Sequence, residues 1–98
     1  MTITKSLNGT EVTLSIAGRL DTTTAPELET EIKGCTDGAT LLTLDFAALE
    51  YISSAGLRVL LSAQKVMAKQ GKMVVKNVNE TVMEVFDVTG FADILTIE

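Results

Sequence analysis

Ninety-eight residues, 46% of them hydrophobic, suit one compact domain that buries roughly 60–70% of the surface its unfolded chain exposes. Thirteen acidic against eight basic residues give a formal net charge of −5, with the cations scattered from Lys5 to Lys76. Duplex nucleic acid is a poor partner for such a chain, because that affinity comes from a basic face set against phosphates, and the expected partner is a protein.

A lone Cys35 and the absence of histidine exclude an intramolecular disulfide and leave no soft-ligand set for zinc. The segment Met1 to Gly9 has no apolar run of signal-peptide length, and nothing approaches the ~18 uninterrupted apolar residues of a membrane helix. The expectation is a cytoplasmic protein with no membrane association.

Residues 2–7 and 11–17 flank Asn8-Gly9, and Val12, Leu14 and Ile16 alternate with Thr13, Ser15 and Ala17. That spacing predicts a hairpin with a two-residue Asn-Gly turn. The period then changes. Thr24 and Glu27 have capping-box spacing, Pro26 suits a first turn, and Ala25, Leu28 and Ile32 share a helical face up to Gly34.

Leu41, Leu42, Leu44 and Phe46 predict a largely buried strand, followed by a seven-residue loop to Ser53. From Ala55 to Gln70 the residues Leu57, Leu60, Leu61, Val66 and Met67 form an apolar stripe, and Gly71 is a helix stop. Met73-Val74-Val75 predicts a strand, Asn79 caps a third helix with Val82, Val85 and Phe86 inward, and Gly90 ends it. Ile94, Leu95 and Ile97 predict a last strand.

The order β-β-α-β-α-β-α-β, with helices crossing between strands, predicts an α/β fold: one domain over residues 1–98, with a mixed, mostly parallel sheet of about five strands and helices packed against it. Sites in such sheets form where strand ends feed helix N-termini, and segment 47–56 is such a place.

Within it, Tyr51-Ile52-Ser53-Ser54-Ala55-Gly56-Leu57 joins a buried strand to an amphipathic helix. Either serine can cap that helix, and Gly56 permits close packing of its first turn. The same position also suits a modified serine, since a phosphate there meets free N–H donors and the positive end of the helix dipole. It would add about −1.5 to −2 charge to a docking surface while leaving the fold intact.

The chain resembles the STAS-domain antagonists of anti-sigma factors. The resemblance covers nearly the full length and rests on the Gly18-Arg19-Leu20-Asp21 turn, the strand ending near Phe46, the Ser53-Ser54-Ala55-Gly56-Leu57 segment and Gly90-Phe91. It implies a single STAS-like domain with Ser54 as the phosphorylated residue and Ser53 as the alternative acceptor. Ser53 stands where the family usually carries an acid, and Ala55 where a second hydroxyl residue follows.

By that resemblance the unphosphorylated protein, mainly a monomer when free, binds an anti-sigma factor with serine kinase activity and so regulates transcription. Phosphorylation of Ser54 ends the binding, and a metal-dependent phosphatase of the PP2C type restores it. ATP and metal belong to those partners; this chain is a substrate that needs no cofactor and is not an enzyme. The expected docking residues are Asp21, Thr22, Ser53, Ser54, Ala55, Gly56, Leu57 and Arg58.

Each has a plainer reading too: Asp21 and Thr22 can simply start the first helix, and Arg58 can be a solvated face position. The alternative function is a non-phosphorylated, stand-alone STAS subunit of a transport or other regulatory assembly. A serine hydrolase is disfavoured by the absence of histidine.

Overall fold

The computed structural model describes residues 1–98. Its elements are β1 (Thr2–Asn8), β2 (Glu11–Leu20), α1 (Ala25–Cys35), β3 (Leu41–Asp45), β4 (Leu49–Ile52), α2 (Ser54–Gln70), β5 (Lys72–Lys76) and α3 (Glu80–Thr89), with a 3-10 turn at Phe91–Asp93. The strands form one five-stranded mixed sheet in the order β1-β2-β3-β5, and β4 pairs with β2. Only β1 is antiparallel to its neighbour; β3 and β4 run parallel to β2, and β5 runs parallel to β3.

Alternation along β2 sets the inner face, where Val12, Leu14 and Ile16 are buried and meet Leu42 and Leu44 of β3 and Met73 and Val75 of β5. Helical periodicity supplies the opposing layer: Leu28 and Ile32 from α1, Leu57, Leu60 and Met67 from α2, Val82 and Phe86 from α3. These residues belong to one contiguous core of 23 buried side chains. At about 25 cal/mol per Å² of apolar surface, burial of this kind is the dominant stabilising contribution.

Several sequence expectations are corrected. The hairpin turn is Gly9-Thr10, one residue later than the Asn8-Gly9 turn expected, because Asn8 pairs with Glu11; only Gly9 takes a positive φ, of 63°. A leading glycine with that angle is what a type II′ hairpin requires.

The seven-residue loop contains β4, which pairs with β2 at Gly18, Arg19 and Leu20. The fifth strand expected at 94–97 is not formed: Phe91–Asp93 curls into the 3-10 turn, leaving Ile97 a single bridge to Val75. The count of five strands is thus kept by a different segment. Helix α1 runs one residue past Gly34 to Cys35, and Val66 of α2 is 45% exposed rather than part of the inward stripe, whose place Val59 and Ala63 take.

Candidate functional site at the start of the second long helix

The parallel pairing of β4 with β2 brings their C-terminal ends side by side, and each end feeds a helix. The Ser53 amide donates to the Leu20 carbonyl at 2.9 Å, so the start of α2 is tied to the last residue of β2. Beneath that joint, Gly56 is wedged against Leu20 and Ile52: a Cβ on it would lie 2.7 Å from Leu20 Cγ and 2.8 Å from Ile52 Cγ1. Only glycine lets α2 sit this low over the sheet.

The two serines have different roles in this geometry. Ser53 is the N-cap, half-buried in extended backbone, and its hydroxyl accepts from the Gly56 amide at 3.5 Å. That is longer than a well-formed bond of this type, so the cap is weak. Ser54 is the first helical residue, exposed, and its hydroxyl has no protein partner. No acidic residue occupies the first turn of α2, so its positive end is uncompensated.

Asp21 organises the neighbouring helix. Its Oδ1 accepts from the Thr23 amide at 3.0 Å, the Thr23 hydroxyl at 2.7 Å and the Thr24 amide at 3.2 Å. The capping box expected from Thr24 and Glu27 does not form: Thr24 makes no side-chain cap bond, and its hydroxyl instead donates to the Arg19 carbonyl at 2.8 Å. A carboxylate at Asp21 serves the turn better because it accepts several N–H and O–H bonds at once. Those bonds, the Thr23 hydroxyl first, hold the Asp21 carboxyl below the usual carboxylate range against a smaller opposing effect of burial.

The expected docking residues separate into two layers. Ser54, Thr22 and Arg58 are exposed, and Arg58 has no ion-pair partner. Asp21, Ser53 and Ala55 are half-buried, while Gly56 and Leu57 lie in the interior and shape the turn from below. Thr22, Ala25, Pro26, Ala55 and Arg58 line part of a shallow groove of about 290 Å³ between the starts of α1 and α2.

The structure adds two residues to the rim that sequence reasoning had not marked as site residues. Arg19 and Tyr51 face one another across the β2–β4 pairing, with the guanidinium carbon 4.2 Å from the ring centroid. Arg19 Nε also lies 3.8 Å from Asp21 Oδ2. Asn79, expected only as a helix cap, both accepts from the Val82 amide at 2.8 Å and donates to the Leu49 carbonyl at 2.7 Å, fixing β4 to α3.

The STAS domain family matches residues 2–98, the whole of this mixed sheet and its helices. Among curated relatives, BtrV of Bordetella bronchiseptica is 38% identical over 84 residues, covering 84% of this chain and 72% of that protein. The anti-sigma-B factor antagonist of Bacillus subtilis is 30% identical over 91 residues, covering 92% of this chain and 84% of that protein.

The fold is also that of SpoIIAA, an anti-sigma factor antagonist and Bacillus cell fate determinant. Its unphosphorylated form superposes with a TM-score of 0.84 at 19% identity, over 99% of this chain and 88% of that one. The phosphorylated form gives 0.76 at 20% identity, over 99% and 91%. The chain belongs to the STAS-domain anti-sigma factor antagonist family.

Proposed function

We propose that this chain is a partner-switching regulator: unphosphorylated, it binds an anti-sigma factor that is also a serine kinase, and phosphorylation of Ser54 ends the binding. The observation that carries this reading is the division of labour between the serines. Ser53 is engaged as the cap of α2, whereas Ser54 presents a free, exposed hydroxyl on the first residue of the same helix. A kinase reaches that hydroxyl without unfolding the chain, and the phosphate gains about 0.3–1 kcal/mol from the helix N-terminus, so the modified fold persists.

Family membership supports the same reading, as does the existence of SpoIIAA in both phosphorylated and unphosphorylated forms. The partner is then an anti-sigma factor, with a PP2C-type phosphatase reversing the modification and the docking face made of Asp21, Thr22, Ser54, Ala55 and Arg58 over buried Gly56 and Leu57.

The test is to incubate the purified chain with its candidate anti-sigma kinase and ATP and to locate added phosphate by mass spectrometry in wild type, Ser53→Ala and Ser54→Ala. Phosphate on Ser54, lost in Ser54→Ala and accompanied by release from the kinase, is the expected result. Phosphate on Ser53 instead would move the site. A kinase that labels its own known antagonist and leaves this chain untouched would sink the reading and favour a non-phosphorylated assembly subunit.

A further inference from the structure

The chain has two arginines and one tyrosine: Arg19 and Tyr51 stand next to the last residues of β2 and β4, and Arg58 lies in the second turn of α2. Arg58 is one turn past Ser54; Arg19 and Tyr51 pair across β2 and β4. Arginine and tyrosine are among the residue types most enriched where interfaces concentrate their binding energy.

Arg19 and Tyr51 are also pre-arranged. The β2–β4 register jumps from Gly18 opposite Leu49 to Arg19 opposite Tyr51, which leaves Glu50 as the extra residue of a bulge. Bulges re-aim the side chains that follow them, and here the result is an exposed guanidinium stacked on an exposed ring. Asp21, itself fixed by Thr23 and Thr24, steadies the same guanidinium through Nε.

An exposed arginine ordinarily loses rotamer freedom when a partner docks. Arg19, 60% exposed, is already held on two sides and has less to lose. Its contact with Asp21 runs through Nε, and no hydrogen bond engages the Nη groups. Those are the donors that grip a carboxylate with parallel N–H···O bonds. Nearby acids leave the Nη groups free: Asp21 Oδ1 is taken up by Thr23 and Thr24 and its Oδ2 faces Nε, the first turn of α2 carries no acid, and Glu50 is the one carboxylate of β4.

We propose that Arg19, stacked on Tyr51, is the anchor by which this chain takes a carboxylate side chain of its protein partner. The proposal rests on the reading of the chain as an antagonist that docks on an anti-sigma kinase, and it places an acidic residue of that kinase over the Arg19–Tyr51 pair. Tyr51 supplies the apolar surface that shields the contact from water. A phosphate dianion on Ser54, next to the Ser53 amide that bonds the end of β2, adds negative charge beside this joint and disfavours an incoming carboxylate, so modification and docking oppose one another.

The test measures affinity of the full chain for the serine-kinase anti-sigma factor at several salt concentrations, in wild type, Arg19→Lys, Arg19→Glu and Tyr51→Leu. The unfolding midpoint and the kinase labelling of Ser54 are followed on the same preparations. Arg19→Glu is expected to weaken binding about a hundredfold, and Arg19→Lys, which keeps charge and loses the planar fork, about tenfold. Tyr51→Leu should fall between wild type and Arg19→Glu, and the salt dependence should flatten where the positive charge of Arg19 is lost but not in Arg19→Lys.

Should Arg19→Glu lower the unfolding midpoint by facing Asp21, Arg19→Gln removes the guanidinium without adding a negative charge and carries the comparison. Arg19 variants that bind within about twofold of wild type overturn the anchor while the antagonist reading stands. A wild-type chain that is neither bound nor labelled by a kinase active on its own antagonist overturns that reading, and the anchor with it.

Discussion

Leu20 and Gly56 are in such close contact that a Cβ on Gly56 would lie 2.7 Å from Leu20 Cγ, with Ile52 Cγ1 at 2.8 Å on the other side. Both neighbours are 2% exposed or less, so neither can swing into solvent. Gly56→Ala therefore sets two effects against each other. Alanine gains about 1 kcal/mol of helix propensity, while overpacking a filled core costs about 1–3 kcal/mol. The expected outcome is net destabilisation, read as a lower urea midpoint, with α2 displaced and Ser54 labelled more slowly. A midpoint above wild type would show that α2 can lift without cost.

Asn79 joins α3 to β4 through both ends of one amide, and two substitutions separate the contributions. Asn79→Asp keeps an acceptor for the Val82 amide but loses the donor to the Leu49 carbonyl; Asn79→Ala loses both. A lost cap costs about 1 kcal/mol, and a buried carbonyl left without its donor a comparable amount. Thermal unfolding should rank wild type above Asn79→Asp and Asn79→Asp above Asn79→Ala. In Asn79→Ala the Val82 amide should also exchange faster with solvent.

What could be read from the sequence was local. The starts and stops of α2 and α3 are visible because Ser53, Asn79, Gly71 and Gly90 act on the chain within a few residues of themselves. The strand β4 is not visible in the sequence, because the bulge at Glu50 leaves Leu49 and Ile52 inward and Glu50 and Tyr51 outward, which breaks the alternation that marks a strand. With β4 hidden, nothing placed Tyr51 across from Arg19.

Ile94, Leu95 and Ile97 do not form the strand their pattern predicts, because the 3-10 turn at Phe91–Asp93 carries into Ile94 and only Ile97 bridges to Val75. Thr24 is the N-cap of α1 as its spacing from Glu27 predicts, but the capping-box bond does not form, because its hydroxyl is drawn to the Arg19 carbonyl in the turn that Asp21 organises. The candidate site was legible as a strand-to-helix joint carrying two serines. Its second half, Arg19 with Tyr51, depends on a pairing between distant segments.

Acid should weaken the fold through Asp21 and Asp45. Each carboxyl is held below its ordinary value of 3.8, Asp21 chiefly by the Thr23 hydroxyl and Asp45 chiefly by the Asn77 side-chain amide. A carboxyl with a lowered native pKa binds its proton more readily when unfolded. Its contribution to stability is complete above the unfolded value and is lost as pH falls from there through the native value. Urea midpoints measured from pH 5 downward should decline below about pH 4, and less steeply in Asp21→Asn and Asp45→Asn. Equal slopes in all three proteins would remove these carboxyls as the cause.

Ser53 offers the most direct control of the helix that carries Ser54. Its hydroxyl reaches the Gly56 amide only at 3.5 Å, so Ser53→Ala should cost about 0.5 kcal/mol, the low end for a lost cap. Ser53→Asp should do the reverse. A carboxylate has two acceptor oxygens, makes a charge-assisted bond, and meets an α2 first turn with no acid of its own, together a gain of about 0.5–1 kcal/mol. The same carboxylate would stand beside Ser54, where a phosphate also draws on the helix dipole, so the two compete. Unfolding midpoints should therefore order Ser53→Asp above wild type above Ser53→Ala. The stabilisation that phosphate on Ser54 brings should be smallest in Ser53→Asp, because the positive end is already partly neutralised. If phosphate stabilises Ser53→Asp as much as Ser53→Ala, its effect on the fold does not run through the start of α2.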